Sequence, residues 1–255
     1  MIGCGKMGGA LLTPWLKHSE YTFTVVSPSG RSAPEGVKRV MGPGELHGET
    51  FDLLIVAVKP QMIASILPLY RHLLNNDGCL LSIAAGFSAA SIEELAGKVA
   101  LVRVMPNLPV QIGNGVSALY ANARATDAHQ RSVTKLMDTT GKLIWVETED
   151  DIDRVTAVAG SGPGYAFEIA RCWMLAAQSL GFPPAEAREL VLKTLSGSIE
   201  LALNSATPLD ELRDRVTSKN GTTAAGLTAL NGDASLNGLL QKTVEAAYAR
   251  AVELR

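Results

Sequence analysis

Gly3-Cys4-Gly5-Lys6-Met7-Gly8 stands almost at the start of the chain, after Met1 and Ile2 alone. Gly3, Gly5 and Gly8 have G-x-G-x-x-G spacing, which at a strand-to-helix turn forms a cradle for a dinucleotide pyrophosphate. The first glycine allows a tight turn and the second lets backbone approach the phosphates. The third lets the helix pack closely on its strand. The phosphates then lie on the helix N-terminus, where unpaired N–H groups and the dipole favour anions. The same spacing also fits an ordinary glycine-rich turn, so the rest of the chain must decide. The motif should follow a strand that is central in a doubly wound sheet. The expectation is therefore that a few strand residues stand upstream of Met1.

The first half alternates apolar strands with helical patterns. Residues 22–27, 52–58, 79–84, 101–104, 116–120 and 142–146 read as strands, and the run at 53–58 is continuously Val, Ile and Leu rich. Such runs suit parallel strands buried on both faces. Residues 7–17, 61–74, 90–95 and 128–140 read as helices, giving a βαβ series and an open α/β sheet. Pro14 inside the first helix predicts a bend or an early stop, because an interior proline costs about 3 kcal/mol. After residue 150 the strand signals vanish. Residues 152–159, 164–180, 184–204, 209–216, 222–231 and 237–254 all read as helices, with 166–180 apolar enough to be buried nearly all round. The predicted fold is an α/β N-terminal dinucleotide-binding (Rossmann-type) domain over 1–149, then an all-α C-terminal domain over 150–255. An apolar helical half needs a partner, and a homodimer supplies one.

Of the 255 residues, 47% are hydrophobic, and the formal net charge is −2. That balance gives no electrostatic case for nucleic acid or an anionic membrane. No apolar run reaches membrane-span length. The three cysteines, Cys4, Cys79 and Cys172, have neither metal nor disulfide spacing, which points to a reduced, cytoplasmic setting. Cys4 reads as a small inert residue more readily than as a redox thiol. The four histidines form no metal-ligand pattern, and no H-E-x-x-H, C-x-x-C or G-x-S-x-G motif occurs.

Strand ends carry the remaining candidates. The second strand ends in Ser27-Pro28-Ser29-Gly30-Arg31, without the carboxylate that binds the ribose diol of NAD. The Ser27 and Ser29 hydroxyls and the Arg31 guanidinium suit a 2′-phosphate, so NADPH is favoured over NADH; a plain turn with a solvated Arg is the bland reading. Ala57, Val58, Lys59 and Pro60 end the strongest strand, at the sheet edge where ligands bind. Lys59 there suits a cofactor ribose or a substrate carboxylate, though a surface lysine is the commoner fate. Ala84, Ala85 and Gly86 are small enough for a nicotinamide to approach backbone. Asn107 either faces the reacting ring or closes a turn. In the second half, the run from Val216 to Thr223 opens a helix whose free N–H groups suit a carboxylate. Ser218 or Thr222 could equally be an ordinary N-cap.

In this order the motifs resemble those of the pyrroline-5-carboxylate reductase family over nearly the whole chain. Residues 3–8 resemble its cofactor loop, Ala57-Val58-Lys59-Pro60-Gln61 its A-V-K-P segment, and Ala84-Ala85-Gly86 its A-A-G. Residues 149–155 and Ser161-Gly162-Pro163 resemble the start of its helical domain. Residues 216–223 resemble its signature loop V-[ST]-S-P-G-G-x-T, with Lys219 in place of Pro and Asn220 in place of Gly. Asn tolerates left-handed backbone, so Asn220 is expected to make the same turn. Gly164 also stands where Ala is usual.

The resemblance implies hydride transfer from NADPH to the C=N carbon of a cyclic imino acid, giving L-proline. It implies that Gly3, Cys4, Gly5, Lys6, Met7 and Gly8 bind cofactor together with the strand-end residues named above. Ser218, Asn220, Gly221, Thr222, Thr223 and Glu149 would bind substrate. Thr223 and Lys59 would be catalytic, Thr223 by a hydrogen bond to the imine nitrogen. Geometry is expected to outweigh acid–base chemistry, because a Thr hydroxyl is a poor acid at neutral pH. Homodimers or larger homo-oligomers through the helical domain are implied too. Two other readings remain: a β-hydroxyacid dehydrogenase-like oxidoreductase, which would need a lysine that residues 169–180 lack, and a non-catalytic NADP-binding paralogue.

Overall fold

A computed structural model describes residues 1–28 and 34–255. The chain divides into two compact units. One comprises Met1–Pro163 with Ala246–Arg255, and the other comprises Gly164–Glu245.

The first unit is built on a sheet. β1 (Thr24–Val26) pairs in parallel with β2 (Lys38–Val40). β3 (Phe51–Val56), β4 (Leu74–Ser82) and β5 (Ala100–Pro106) form a second parallel set. Residues 1–3 join the two sets. Ile2 bridges Val26 on one side and Val56 on the other, both in parallel. Ile2 N donates to Ile55 O at 2.7 Å, Ala57 N to Ile2 O at 2.9 Å, and Gly3 N to Val26 O at 3.0 Å. The spatial order is thus β2, β1, residues 1–3, β3, β4, β5. This is the doubly wound order, with its reversal point at the glycine motif.

β6 (Gly115–Ala121) runs antiparallel to β5, and β7 (Gly141–Val146) runs parallel to β6. Residues 107–114 are too few for the crossover of about a dozen residues that parallel pairing needs. Strand β2 was not legible as a strand in the sequence, because only Val40 of its three residues is buried.

Alternate side chains of the strands feed two cores, one on each face. Leu54 and Val56 join Ile63, Leu67, Ile92 and Leu101 on the face covered by α2 (Pro60–Tyr70) and α3 (Ala89–Ala96). Ile55 joins Leu11, Trp15, Val133 and Leu136 on the face covered by α1 (Lys6–Trp15) and α4 (Asp127–Met137). Helix α1 holds Pro14 inside it and ends one residue later, the early stop expected near a proline. Helix α2 ends at Tyr70, not at 74, because Leu74 already begins β4.

The helical part begins with α5 (Glu149–Val155), which continues as a π turn over Thr156–Gly160. There follow α6 (Gly162–Ser179), α7 (Pro184–Leu203), α8 (Leu209–Arg215), α9 (Thr222–Asn231) and α10 (Ser235–Glu253). Burial of 166–180 nearly all round is not what this single chain has. Ala170 is the buried residue of α6, while Phe167, Ile169, Trp173 and Leu175 are exposed. Much of the helix is apolar, apart from Gln178 and the exposed Glu168–Arg171 pair, but its own chain does not cover it.

Candidate active site

Five parallel segments end on one edge of the sheet. Ser27, Gly3, Ala57, Ile83 and Asn107 are the first residues beyond them. Three of the glycine positions have separable physical reasons there. Gly3 has φ +86°, and a Cβ on it would lie 2.8 Å from Ala57 O and from Val58 Cγ1. Neither the backbone nor the space admits a side chain. A Cβ on Gly8 would lie 3.2 Å from Ala57 Cβ, so this glycine sets how closely α1 meets β3. Gly5 is the N-cap of α1, exposed, with open space where its Cβ would be. No side chain caps α1 and no acid lies in its first turn. The first-turn N–H groups thus face open space at a positive helix end. Cys4 and Met7 are half-buried and Lys6 is exposed at this turn.

Lys59 is the N-cap of α2, exposed, with Pro60 as the first helical residue. Ala57 and Val58 are half-buried beneath it and pack against opposite cores. Beyond β4, Ala84 is buried and Ala85 exposed. Gly86 has φ +65°, and a Cβ there would lie 2.9 Å from Leu254 Cβ and O. Leu254, just past the end of α10, therefore rests on the A-A-G turn.

Asn107 is buried and acts as a brace. Its Oδ1 accepts from Val116 N at 2.9 Å, and its Nδ2 donates to Ala159 O in the π turn at 3.0 Å. One amide N–H remains for another partner. Ser27 is buried at the end of β1, and its carbonyl accepts from Arg39. Ser29 and Arg31, expected at a 2′-phosphate, lie outside the described residues.

Glu149, expected to touch substrate, makes its contacts here through one carboxylate oxygen. Its Oε1 pairs with the buried Arg103 Nη1 and accepts from Ala89 N at 2.8 Å. It thereby ties the start of α5 to β5 and to the start of α3. Asp150, one residue on, accepts from Tyr248 Oη at 2.7 Å and pairs with Arg154 and Arg255. The Tyr248 hydrogen bond, then these two cations, hold its carboxyl below the ordinary value. Burial pushes the Cys79 thiol up to about 12, which makes it inert near neutral pH.

In the helical unit, Asn220 has φ +58°, the left-handed turn expected of it. Gly221 is the N-cap of α9, and its N donates to Ser218 O at 3.0 Å. Ser218 Oγ occupies the space of a Gly221 Cβ, 2.2 Å away. No side chain caps α9, so the N-cap reading of Ser218 or Thr222 does not hold. Thr222 and Thr223 are its exposed first residues. The signature loop thus ends in a helix start with unsatisfied N–H groups.

A glycine cradle at the reversal point of an open parallel sheet defines a Rossmann-type dinucleotide-binding protein. Residues 1–86 match the family model described as NADP oxidoreductase coenzyme F420-dependent, and residues 149–254 match the one described as pyrroline-5-carboxylate reductase dimerisation. The pyrroline-5-carboxylate reductase of Vibrio alginolyticus is 38% identical over 80% of this chain and 75% of its own length. That of Corynebacterium melassecola is 34% identical over 100% of this chain and 97% of its own. The crystal structure of Plasmodium falciparum pyrroline carboxylate reductase with NADP bound superposes with a TM-score of 0.87 at 27% identity, covering 99% of this chain and 96% of that one. The chain belongs to the pyrroline-5-carboxylate reductase family.

Proposed function

We propose that this protein reduces 1-pyrroline-5-carboxylate to L-proline with NADPH. The observation that carries the reading is the convergence of Gly3, Ala57, the 84–86 turn and Asn107 on one carboxyl edge, beside an uncapped α1 N-terminus. Residues 1–149 form the cofactor domain, and residues 150–255 the substrate and dimerisation domain of a homodimer. The three scattered cysteines fit work in the cytoplasm. Among the described residues no helix is long and apolar enough to cross a membrane.

The fit of the dinucleotide rests on the glycines. Gly3 leaves no room for a side chain, a Cβ on Gly8 would crowd Ala57 Cβ at 3.2 Å, and Gly5 presents bare backbone to open space. The N–H groups of Lys6, Met7 and Gly8 would hold the pyrophosphate, Cys4 would line the turn, and Ala84, Ala85 and Gly86 would flank the nicotinamide. Lys59, with Val58 and Pro60, would take a ribose or carboxylate oxygen. NADPH supplies the hydride that reduces the C=N carbon.

The chain's own work is binding and orientation. The unpaired N–H groups of the first turn of α9, those of Thr222 and Thr223, with the Ser218 and Gly221 turn beneath them, would hold the substrate carboxylate. Asn220 shapes that loop by its left-handed backbone. Thr223 Oγ1 would donate to the imine nitrogen, which raises the electrophilicity of the carbon, fix the ring and relay to that nitrogen the proton from water that balances the hydride. Glu149 braces the start of α5 through Arg103, within the sheet unit, and would also make the substrate contact expected of it.

Purified protein with NADPH and pyrroline-5-carboxylate should consume the coenzyme and form proline in equal amounts. Binding of NADPH without turnover would instead favour the non-catalytic paralogue. Oxidation of a β-hydroxyacid would favour the dehydrogenase reading, which α6 opposes by having no lysine.

A further inference from the structure

Resting on the NADPH reading, we infer that Arg39, on the strand next to the one that reads the ribose, is a specificity-determining contact for the coenzyme 2′-phosphate. Two facts place its charge there. β1 and β2 run parallel in the register Val25↔Arg39 and Val26↔Val40, and Ser27 N continues the ladder to Val40 O at 3.0 Å. The Arg39 side chain lies along this pair toward its carboxyl end. Nε and Nη2 donate to Ser27 O at 3.3 and 3.0 Å. Ser27 is the first residue after β1, where dinucleotide folds read the ribose 2′ position.

The charge at that point is fixed and uncompensated. Arg39 pairs with no carboxylate among the described residues, whereas its neighbour Lys38 pairs with Glu49. The nearby Glu45 Oε1 accepts from Met41 N at 2.7 Å. Nη2 also reaches Met41 Sδ at 3.1 Å, which leaves both Nη1 N–H groups without an acceptor among the described residues. Arg39 is half-buried, so the guanidinium is held by its backbone contact and yet open on one side. A planar donor pair with no counter-ion suits a phosphate dianion better than a ribose diol. The absence of any acid at Ser27 and Pro28 removes the group that would repel such a dianion.

The test is direct binding, read by coenzyme fluorescence, with NADPH and NADH on the wild-type chain, Arg39→Met and Arg39→Lys. Methionine keeps the apolar stem, so it preserves packing while removing the charge. The expected result is about a tenfold rise in Kd for NADPH with Arg39→Met, less than about twofold for NADH, and partial recovery with Arg39→Lys. The NADPH Kd of the wild type should also rise with salt more steeply than that of Arg39→Met. Equal weakening of both coenzymes would overturn the inference, because Arg39 would then act only by holding the end of β1. No change in either would overturn it too. If wild-type protein binds NADPH no better than NADH, the coenzyme assignment itself fails and takes the inference with it. Activity toward the imine does not enter any arm, so a wrong substrate would leave the result readable.

Discussion

Asn220 and Thr223 show what a single side chain does in the signature loop. With φ at +58°, Asn220 is in backbone that suits glycine and that asparagine tolerates. The departure from the usual glycine therefore leaves the turn intact, and α9 still begins at Thr222 without a side-chain cap. If Thr223 holds the imine nitrogen, Thr223→Ala removes one oriented hydrogen bond and no backbone N–H. Turnover should fall about 10- to 100-fold while the Kd for NADPH stays within about twofold. Steady-state kinetics beside coenzyme titration checks this, and unchanged turnover would take Thr223 out of the mechanism. The glycine cradle was legible in the sequence because its spacing alone encodes a backbone need. Arg39 was not, because its relation to Ser27 exists only once two strands are in register. Asn107 was legible as a turn-closing residue, but its bond to Ala159 depends on a π turn that no local pattern announces.

Helix α5 concentrates the ties that hold its surroundings, through an acidic first turn that also suits its N-terminus. Glu149 pairs with Arg103, whose side chain is 4% exposed, and it also accepts from Ala89 N. Glu149→Gln removes the carboxylate and leaves a buried guanidinium short of a counter-ion. A loss of roughly 2–4 kcal/mol in urea unfolding is expected. A raised KM for the imine at unchanged stability would assign Glu149 to the substrate site alone. Asp150 makes a different prediction. Tyr248 is the largest cause of its lowered carboxyl pKa, followed by Arg154 and Arg255. A lowered carboxyl contributes stability that is complete above its ordinary value of 3.8 and is lost as pH falls through the folded value. Tyr248→Phe should therefore destabilise at neutral pH, and the gap to wild type should narrow below about pH 4. Thermal melts at several pH values would show it; a pH-independent gap would exclude this linkage. The sequence revealed α5 as a helix, but the Glu149–Arg103 and Asp150–Tyr248 pairs lie 46 and 98 residues apart, beyond any periodicity.

The two units differ in how much of their stability is their own. The sheet unit has two cores, with Leu11, Trp15, Leu67, Leu80 and Leu101 wholly buried. In Gly164–Glu245 the buried apolar residues are Ala170, Ala187 and Val191. Exposed there are Phe167, Trp173, Leu175, Ile199 and Leu203, an apolar surface that a monomer in water would not keep. Sequence periodicity alone could not tell a helix buried by its own chain from one buried by another copy, which is why 166–180 read as internal. If a second copy covers these helices, folding and association are one equilibrium, and stability depends on protomer concentration. The thermal midpoint should then rise by several degrees over roughly a hundredfold increase in protein concentration. Sedimentation should give at least a dimer at the upper end. Placing a charge in that surface, as in Leu175→Asp, should shift the species toward monomer and remove the concentration dependence, because burying a carboxylate in an apolar interface is costly. A wild-type midpoint independent of concentration, together with a monomer mass, would mean that the helices are stable without a partner and that the homodimer reading is wrong.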